Sequence, residues 1–370
     1  MRKKHPKIVE AQKLLYSHRF DFNYLDDEEK KASQRALSQI VWNYVDYVKD
    51  CIDRVIILKA KDVFLDIPPY VLIPYHTKWS SPKRFKSVLS GFWDKIEYLS
   101  EKYDKAVFLT LTTKTTSFES LGEAIDSLFK GWRRLYDHIK KKCLRNNLAE
   151  NLDYVAVLEF GKENFMPHLH IIIFGVDYLD FKDFRKKNVS KDEKYKKSGK
   201  SWEYLKDYWE KWHKSRGVYI YGLRKVWDKE HNKWTWHWKN PKNKPKDSKG
   251  KDAVLYLAKY ITKTLKTIKK VRNLVLVGEL SEAYKTKFIE CVALLFASQK
   301  QFVRSSRIPL EREENKKESG LYEFFGVFYK AHLPCFVIDA LDRYYKKQLR
   351  GFWIKAGGWL TSSRFSTPTI

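Results

Sequence analysis

At 370 residues the chain is long enough for two or three domains, and 73 Lys and Arg against 45 Asp and Glu give it a formal charge of +28. Four well-separated cysteines, Cys51, Cys143, Cys291 and Cys335, exclude a zinc ribbon and a disulfide-stapled secreted scaffold. The longest apolar stretches, around 169–176 and 291–297, are too short to span a bilayer, and the polar N-terminus lacks a signal-peptide core, so a soluble cytoplasmic protein is expected. A pI near 9.6 favours polyanionic partners, and 16% aromatic residues, 13 of them Trp, suit stacking on unpaired bases.

Residues 1–105 read as a mainly helical N-terminal extension. Leu37 to Ile57 and Phe85 to Leu99 carry apolar residues at 3–4 spacing, with Pro68, Pro69, Pro74 and Pro82 breaking the region between them. A Thr-rich apolar strand follows at 106–113, then a helix from about Phe118 to Lys142 opening after Ser117 as a possible cap.

Two strands come next. Asp153 to Phe160 is β-rich and ends at Gly161; Pro167 to Phe174 returns after a short loop through Lys162 and Glu163, so the two pair antiparallel. His168 and His170 are i and i+2 of the second strand and emerge from one face. Two imidazoles in an apolar layer need partners for their nitrogens. Glu159, at the end of the preceding strand, falls beside them. Two imidazoles and a carboxylate with positions left open make a catalytic metal set, and the absence of thiolate favours Mg²⁺ or Mn²⁺ over structural zinc. The other reading is two partly exposed strand histidines and an exposed carboxylate.

A lysine-dense insertion spans about 180–215. Its Ser198-Gly199-Lys200-Ser201 resembles the end of a phosphate-binding loop, but position 194 is Lys rather than Gly and no apolar strand precedes it, so no ATPase is built in. Gly217 to Trp227 and Lys233 to Trp238 form a hairpin. In it Trp234, Trp236 and Trp238 share one face, as a core stripe or as a platform for stacking single strands. Asn240 to Lys251 reads as a flexible linker.

The segment from Asp252 to Lys266 has helical periodicity. Tyr256 and Tyr260 are i and i+4 and share a face, and each is followed three residues on by a lysine, Lys259 and Lys263. Phenolate attack on a phosphate, assisted by an ammonium, is one use of this pattern; a tyrosine-lined core helix with solvated lysines is the other. Residues 268–370 form a C-terminal domain whose role the sequence does not state, with a helix at Ser281 to Ser298 and an aromatic run at 321–338.

These three segments, in this order, resemble the HUH endonucleases, a superfamily of rolling-circle initiators, transposases and relaxases named for a His-hydrophobic-His strand. Ala106 to Thr113 is similar to the family's Thr-rich strand. Pro167-His168-Leu-His170 is similar to the histidine strand, with Glu159 placed like the third metal ligand. Tyr256-Leu-Ala-Lys259-Tyr260-Ile-Thr-Lys263 is similar to the nucleophile helix. The paired tyrosines most resemble the two-tyrosine initiators of small single-stranded DNA phages and certain archaeal plasmids. The resemblance covers roughly 106–267, the expected endonuclease core. It implies an α+β fold with a central antiparallel, ferredoxin-like or RRM-like sheet flanked by helices, and metal-dependent nicking and joining of single-stranded DNA at an origin. The intermediate would be a 5′-phosphotyrosine, and the free 3′-OH would prime a host polymerase with a host helicase. A two-tyrosine transposase and a non-catalytic single-strand binder are the alternatives.

Overall fold

The computed structural model describes residues 4–62, 67–145, 147–161, 164–177, 203–215, 217–242, 244–245, 248, 250–307 and 320–355. In chain order its main elements are α1 (Pro6–Leu15), α2 (Asp27–Ile52), β1 (Arg54–Ala60), β2 (Tyr70–Pro74), α3 (Pro82–Lys102), β3 (Ala106–Thr112), α4 (Leu121–Arg145), β4 (Asp153–Phe160) and β5 (Pro167–Phe174). There follow α5 (Glu203–His213), β6 (Val218–Asp228), β7 (Lys233–Trp238), α6 (Ala253–Leu276), α7 (Leu280–Tyr284), α8 (Ile289–Ser298), β8 (Val303–Ser305), β9 (Tyr322–Tyr329) and α9 (Cys335–Lys355). They fall into two compact units, Met1–Lys49 with Thr77–Arg312, and Asp50–His76 with Glu313–Ile370. Neither 105 nor 267 is a break between units.

The larger unit is α+β, as the sequence leads one to expect. Its six strands run β7-β6-β3-β5-β4-β8, every neighbouring pair antiparallel. Helices α3 and α6 pack near β7 and β4, while α4 packs on β5 and α5 on α4. The sheet is therefore covered on both faces, which is why β5 reads as an almost unbroken apolar run, with Leu169 to Phe174 all buried. Burial on both sides leaves polar side chains in these strands only where something satisfies them.

Several local expectations need correction. The helix expected after Ser117 starts three residues later. Ser120 Oγ accepts from Glu123 N–H at 3.2 Å while Glu123 Oε2 accepts from Glu119 N–H at 3.2 Å, a reciprocal cap that outcompetes the earlier serine. Helical spacing does not continue to Ile57. The β-branched run after Arg54 forms β1, which pairs with β2 and with β9 from the far end of the chain. The helix expected over 281–298 is two, α7 and α8, separated at Phe288, whose φ is 68°. Of the 180–215 insertion, 178–202 lies outside the described residues, including the Ser198–Ser201 motif. Residues 203–213 form α5, whose Trp209 and His213 are fully buried. Cys335 is exposed and Cys291 half-buried, so only Cys51 and Cys143 fit the expectation of buried thiols.

The smaller unit is a three-stranded antiparallel sheet, β2-β1-β9, with α9. Val55, Ile57 and Val337 form its core, with Tyr70, Phe328, Leu333 and Leu341 packed around them. Segments from opposite ends of the sequence build it together. Among the described residues of the whole chain, no helix is long and apolar enough to cross a membrane.

His213 ties the second layer to the sheet: its Nε2 meets Thr113 Oγ1 at 2.8 Å and its Nδ1 meets Ser127 Oγ at 2.9 Å. Burial lowers its pKa from 6.5 to about 3, and burial with the nearby Lys142 lowers that of His138 to about 4. Below pH 6.5 the unfolded chain takes up protons that these folded rings refuse. Their contribution is therefore complete above pH 6.5 and declines as pH falls toward 4 and then 3, by about 1.4 kcal/mol per pH unit for each buried histidine. Chemical unfolding across this range should show a shallower pH dependence for His213→Gln than for the native chain. Identical slopes would mean that His213 is not held neutral.

Candidate active site

The register of β3, β4 and β5 assembles the predicted polar groups on one face of the sheet. Glu159 lies opposite His168, Val157 opposite His170, Thr110 opposite His170, and Thr112 opposite His168. His170 is buried and bonded at both nitrogens: Nδ1 to Thr110 Oγ1 at 3.2 Å and Nε2 to Glu159 Oε2 at 2.9 Å. In the neutral ring with Nε2 protonated, that nitrogen donates to the carboxylate and the threonine hydroxyl donates to Nδ1. Because a hydroxyl both donates and accepts, Thr110 also fits the opposite tautomer, in which Nδ1 donates to it and the Nε2 lone pair is free for a cation. His168 is half-buried, its ring centroid 6.4 Å from that of His170. Gly161 leaves room beside it: a Cβ there would come within 2.8 Å of Asn164 Oδ1 and 3.8 Å of His168 Nε2.

Helix α6 supplies the tyrosines. Asp252 caps it, accepting from Val254 N–H at 2.6 Å and Leu255 N–H at 3.1 Å, and Thr235 Oγ1 donates to the same carboxylate. This fixes the start of the helix against β7 and presents Tyr256 and Tyr260 to the sheet. The Tyr260 ring stacks on His170, with centroids 4.7 Å apart and planes at 2°, and the Tyr256 ring meets His170 edge-on at 5.7 Å. Phe108 and Trp238 pack on Tyr256 at 5.7 and 5.9 Å. Tyr260 Oη donates to Tyr256 Oη at 2.7 Å. Lys259 Nζ lies 4.3 Å from the Tyr256 ring centre and 4.6 Å from that of Tyr260, and Lys263 Nζ lies 5.2 Å from Tyr260. Both tyrosines are nearly buried, at 6% and 3% exposure, so the core-helix reading and the site reading describe the same residues.

An open cavity of about 1560 Å³ borders this cluster. Glu159, His168, Tyr256, Lys259 and Lys263 all line it, whereas His170 and Tyr260 stand behind the wall. His237, Lys251, Lys229 and Asn164 also line it and were not singled out from sequence. His237 sits on β7 among tryptophans, where alternation alone marks it as pointing away from them.

The donor chemistry suits a hard divalent cation: imidazole nitrogen and carboxylate oxygen, a hydroxyl behind one imidazole, and lysines beside the cavity. Among the described residues, the donor atoms gathered within 4.8 Å of one another are those of Asp228, Glu230 and His231 on the hairpin tip, not Glu159, His168 and His170. Glu159 and His170 are already in contact, so a shared cation requires His168 to swing toward them. The tip cluster is explained without an ion. Asp228 accepts from the backbone N–H of Glu230 and His231 at 3.1 and 3.3 Å and from the His231 ring at 2.8 Å, closing the turn.

Of the three tryptophans, Trp236 and Trp238 are core residues whose indole N–H groups donate to Ser100 Oγ (2.9 Å) and Ser248 Oγ (3.1 Å). Trp234 remains 39% exposed. The stripe is thus part core, part surface.

Thr110 gives a direct test of this geometry. Thr110→Val keeps the shape and leaves a buried imidazole nitrogen unsatisfied, and should cost about 1–3 kcal/mol in urea unfolding. An unchanged midpoint would show that His170 does not depend on the hydroxyl.

Residues 106–265, which contain all seven of the predicted site residues, match the family of replication-associated proteins typified by ORF2. The chain is also 28% identical over 232 residues to "Uncharacterized protein 1" of Halorubrum pleomorphic virus 1, a stretch that covers 61% of this chain and 39% of that protein. The chain thus spans about two fifths of the length of the viral relative that it matches. Both similarities support a replication-initiator role, and the first implies DNA binding.

Proposed function

We propose that the chain is a rolling-circle replication initiator of the HUH type, which nicks and rejoins single-stranded DNA through Tyr256 and Tyr260. One observation carries the reading. Two tyrosine hydroxyls 2.7 Å apart lie against a histidine that is itself bonded to Glu159, at the wall of a cavity lined by His168 and two lysines. A tyrosine-lined core alone needs neither the carboxylate nor the ammonium groups there.

Glu159, His168 and His170 would hold Mg²⁺ or Mn²⁺, which when bound supplies Lewis-acid polarisation of the scissile phosphate. The rest is done by the chain. Tyr256 faces the cavity and attacks first. Its Oη forms a bond to phosphorus as the bond from phosphorus to the 3′ oxygen breaks. The phenol proton leaves to solvent, and the departing 3′ oxygen takes one up, leaving a 5′-phosphotyrosine and a free 3′-OH. Tyr260, donating to Tyr256 Oη, stabilises the phenolate as it forms, and Lys259 adds a positive charge near both rings. A second transfer onto Tyr260 would let the displaced strand be closed, with helicase and polymerase supplied by the host. The wider basic surface would hold the strand through sequence-independent phosphate contacts.

Two measurements test the reading. His168→Ala and His170→Ala should each abolish cleavage of an origin-bearing single strand in Mg²⁺ or Mn²⁺ while leaving binding in chelator within about threefold of the native chain, since many Lys and Arg share the affinity. Retained cleavage by the double variant would sink the metal assignment.

The nucleophiles separate by covalent trapping. Tyr256→Phe should lose most single-turnover adduct. Tyr260→Phe should keep the first nick but lose the complete cycle of cleavage and rejoining, and the double variant should form no adduct. Peptide mapping that places DNA on a tyrosine outside 256–260 would refute the assignment.

A further inference from the structure

A second cavity, of about 400 Å³, lies between the β6–β7 hairpin and α3. It shares a wall with the main cavity: Trp227, Asp228, Thr235, Asp252 and Leu255 line both. Leu255 adjoins Tyr256 in sequence and is 59% exposed.

The two cavities differ in chemistry. The main one carries Lys229, Lys251, Lys259 and Lys263. The second carries three indoles, those of Trp93, Trp227 and Trp234, with the exposed carboxylates of Glu97 and Glu101. Trp93, Glu97 and Glu101 succeed one another at i, i+4 and i+8 of α3 and share a face. Trp227 and Trp234 face each other across the hairpin, centroids 4.9 Å apart at 70°, and stay 41% and 39% exposed. Lys225 Nζ stands 4.6 Å from the Trp234 ring centre and Lys233 Nζ 4.9 Å from that of Trp93. A cross-strand aromatic pair stabilises a hairpin, but that role does not require a cavity walled by a third indole and two carboxylates.

We propose that the second cavity receives the base of an unpaired nucleotide whose phosphate lies in the main cavity, and that it selects bases bearing an exocyclic amine. The inference rests on the single-strand reading above and adds a base preference to it. Indole faces stack on any base. Carboxylates accept from the amine of cytosine, adenine or guanine, whereas thymine presents a carbonyl oxygen in its place, which a carboxylate repels. Glu97, Glu101 and Asp228 keep phosphate out of the second cavity, and the lysines draw it into the first. The volume is in the range of small-ligand sites, large enough for one base and too small for a stacked pair of nucleotides.

Oligonucleotides of about 12 residues, dC, dA and dT homopolymers, would be titrated onto the full chain in chelator, following anisotropy and tryptophan emission. The expected result is about tenfold tighter binding of dC and dA than of dT, with quenched emission. Trp227→Ala with Trp234→Ala, both on exposed side chains, should weaken dC binding about tenfold, with native circular dichroism retained. Glu97→Gln with Glu101→Gln should narrow the preference for dC over dT. Equal affinity for dC and dT, or a tryptophan variant that binds dC like the native chain, would overturn the proposal. Adduct formation without base preference would sink this proposal alone. Base preference without an adduct would sink only the strand-transfer reading.

Discussion

The pairing of β4 with β5 sets Glu159 opposite His168 and Val157 opposite His170, and the rest of the site is built on that register. A slip of one residue would send both imidazoles to the α4 side of the sheet and bring Leu169 and Ile171 to face the tyrosines. The register is pinned where it matters. Gly161 N–H donates to Met166 O at 3.0 Å across the turn, and Phe165, with φ of 48°, turns the chain back into β5. At the other side of β5, Thr110 both pairs with His170 through the strand ladder and bonds its ring. Two neighbouring strands therefore hold one imidazole from two directions.

That imidazole is also the contact between sheet and helix. His170 stacks flat on Tyr260 and meets Tyr256 by its edge, so the position of α6 depends on a ring whose own orientation is set by Thr110 and Glu159. Packing and chemistry use the same atoms here. This explains why the tyrosines are nearly buried although one of them borders a large cavity: Phe108 and Trp238 support Tyr256 from behind, leaving its hydroxyl toward Tyr260 and the open space. It also ranks the two hydroxyls, which the sequence presents as equivalent, because only Tyr256 lines the main cavity.

Much of this was legible in the sequence, and what was legible is local. Alternation put His168 and His170 on one face, the i and i+4 spacing put Tyr256 and Tyr260 on another, and the glycine-bounded strands announced their antiparallel pairing. Positions whose meaning depends on distant partners were not legible. Thr110 was one threonine among several until β3 met β5, and His237 looked like a spacer between tryptophans until α6 closed over β7. The smaller unit was hidden for the same reason. Val55-Ile-Ile continues the apolar periodicity of α2 by sequence, and only its pairing with β9, from the far end of the chain, makes it a strand. Cap competition was readable in principle, since Ser120 stands three residues before Glu123, but Ser117 gave an equally plausible local start.

Net charge and local charge play different parts in this chain. The +28 overall acts at a distance and without regard to sequence, concentrating polyanion near the surface. Close to the tyrosines the balance is mixed, with Glu159, Asp228, Glu230 and Asp252 lining the same cavity as four lysines. Each carboxylate there either has a defined structural duty or belongs to the donor set. Asp252 caps α6, Asp228 closes the hairpin turn, and Glu159 holds His170. A uniformly basic cleft would bind a strand in many registers. Interspersed carboxylates penalise every register in which a phosphate falls on one of them, so long-range attraction brings the strand in and short-range repulsion limits where its phosphates rest.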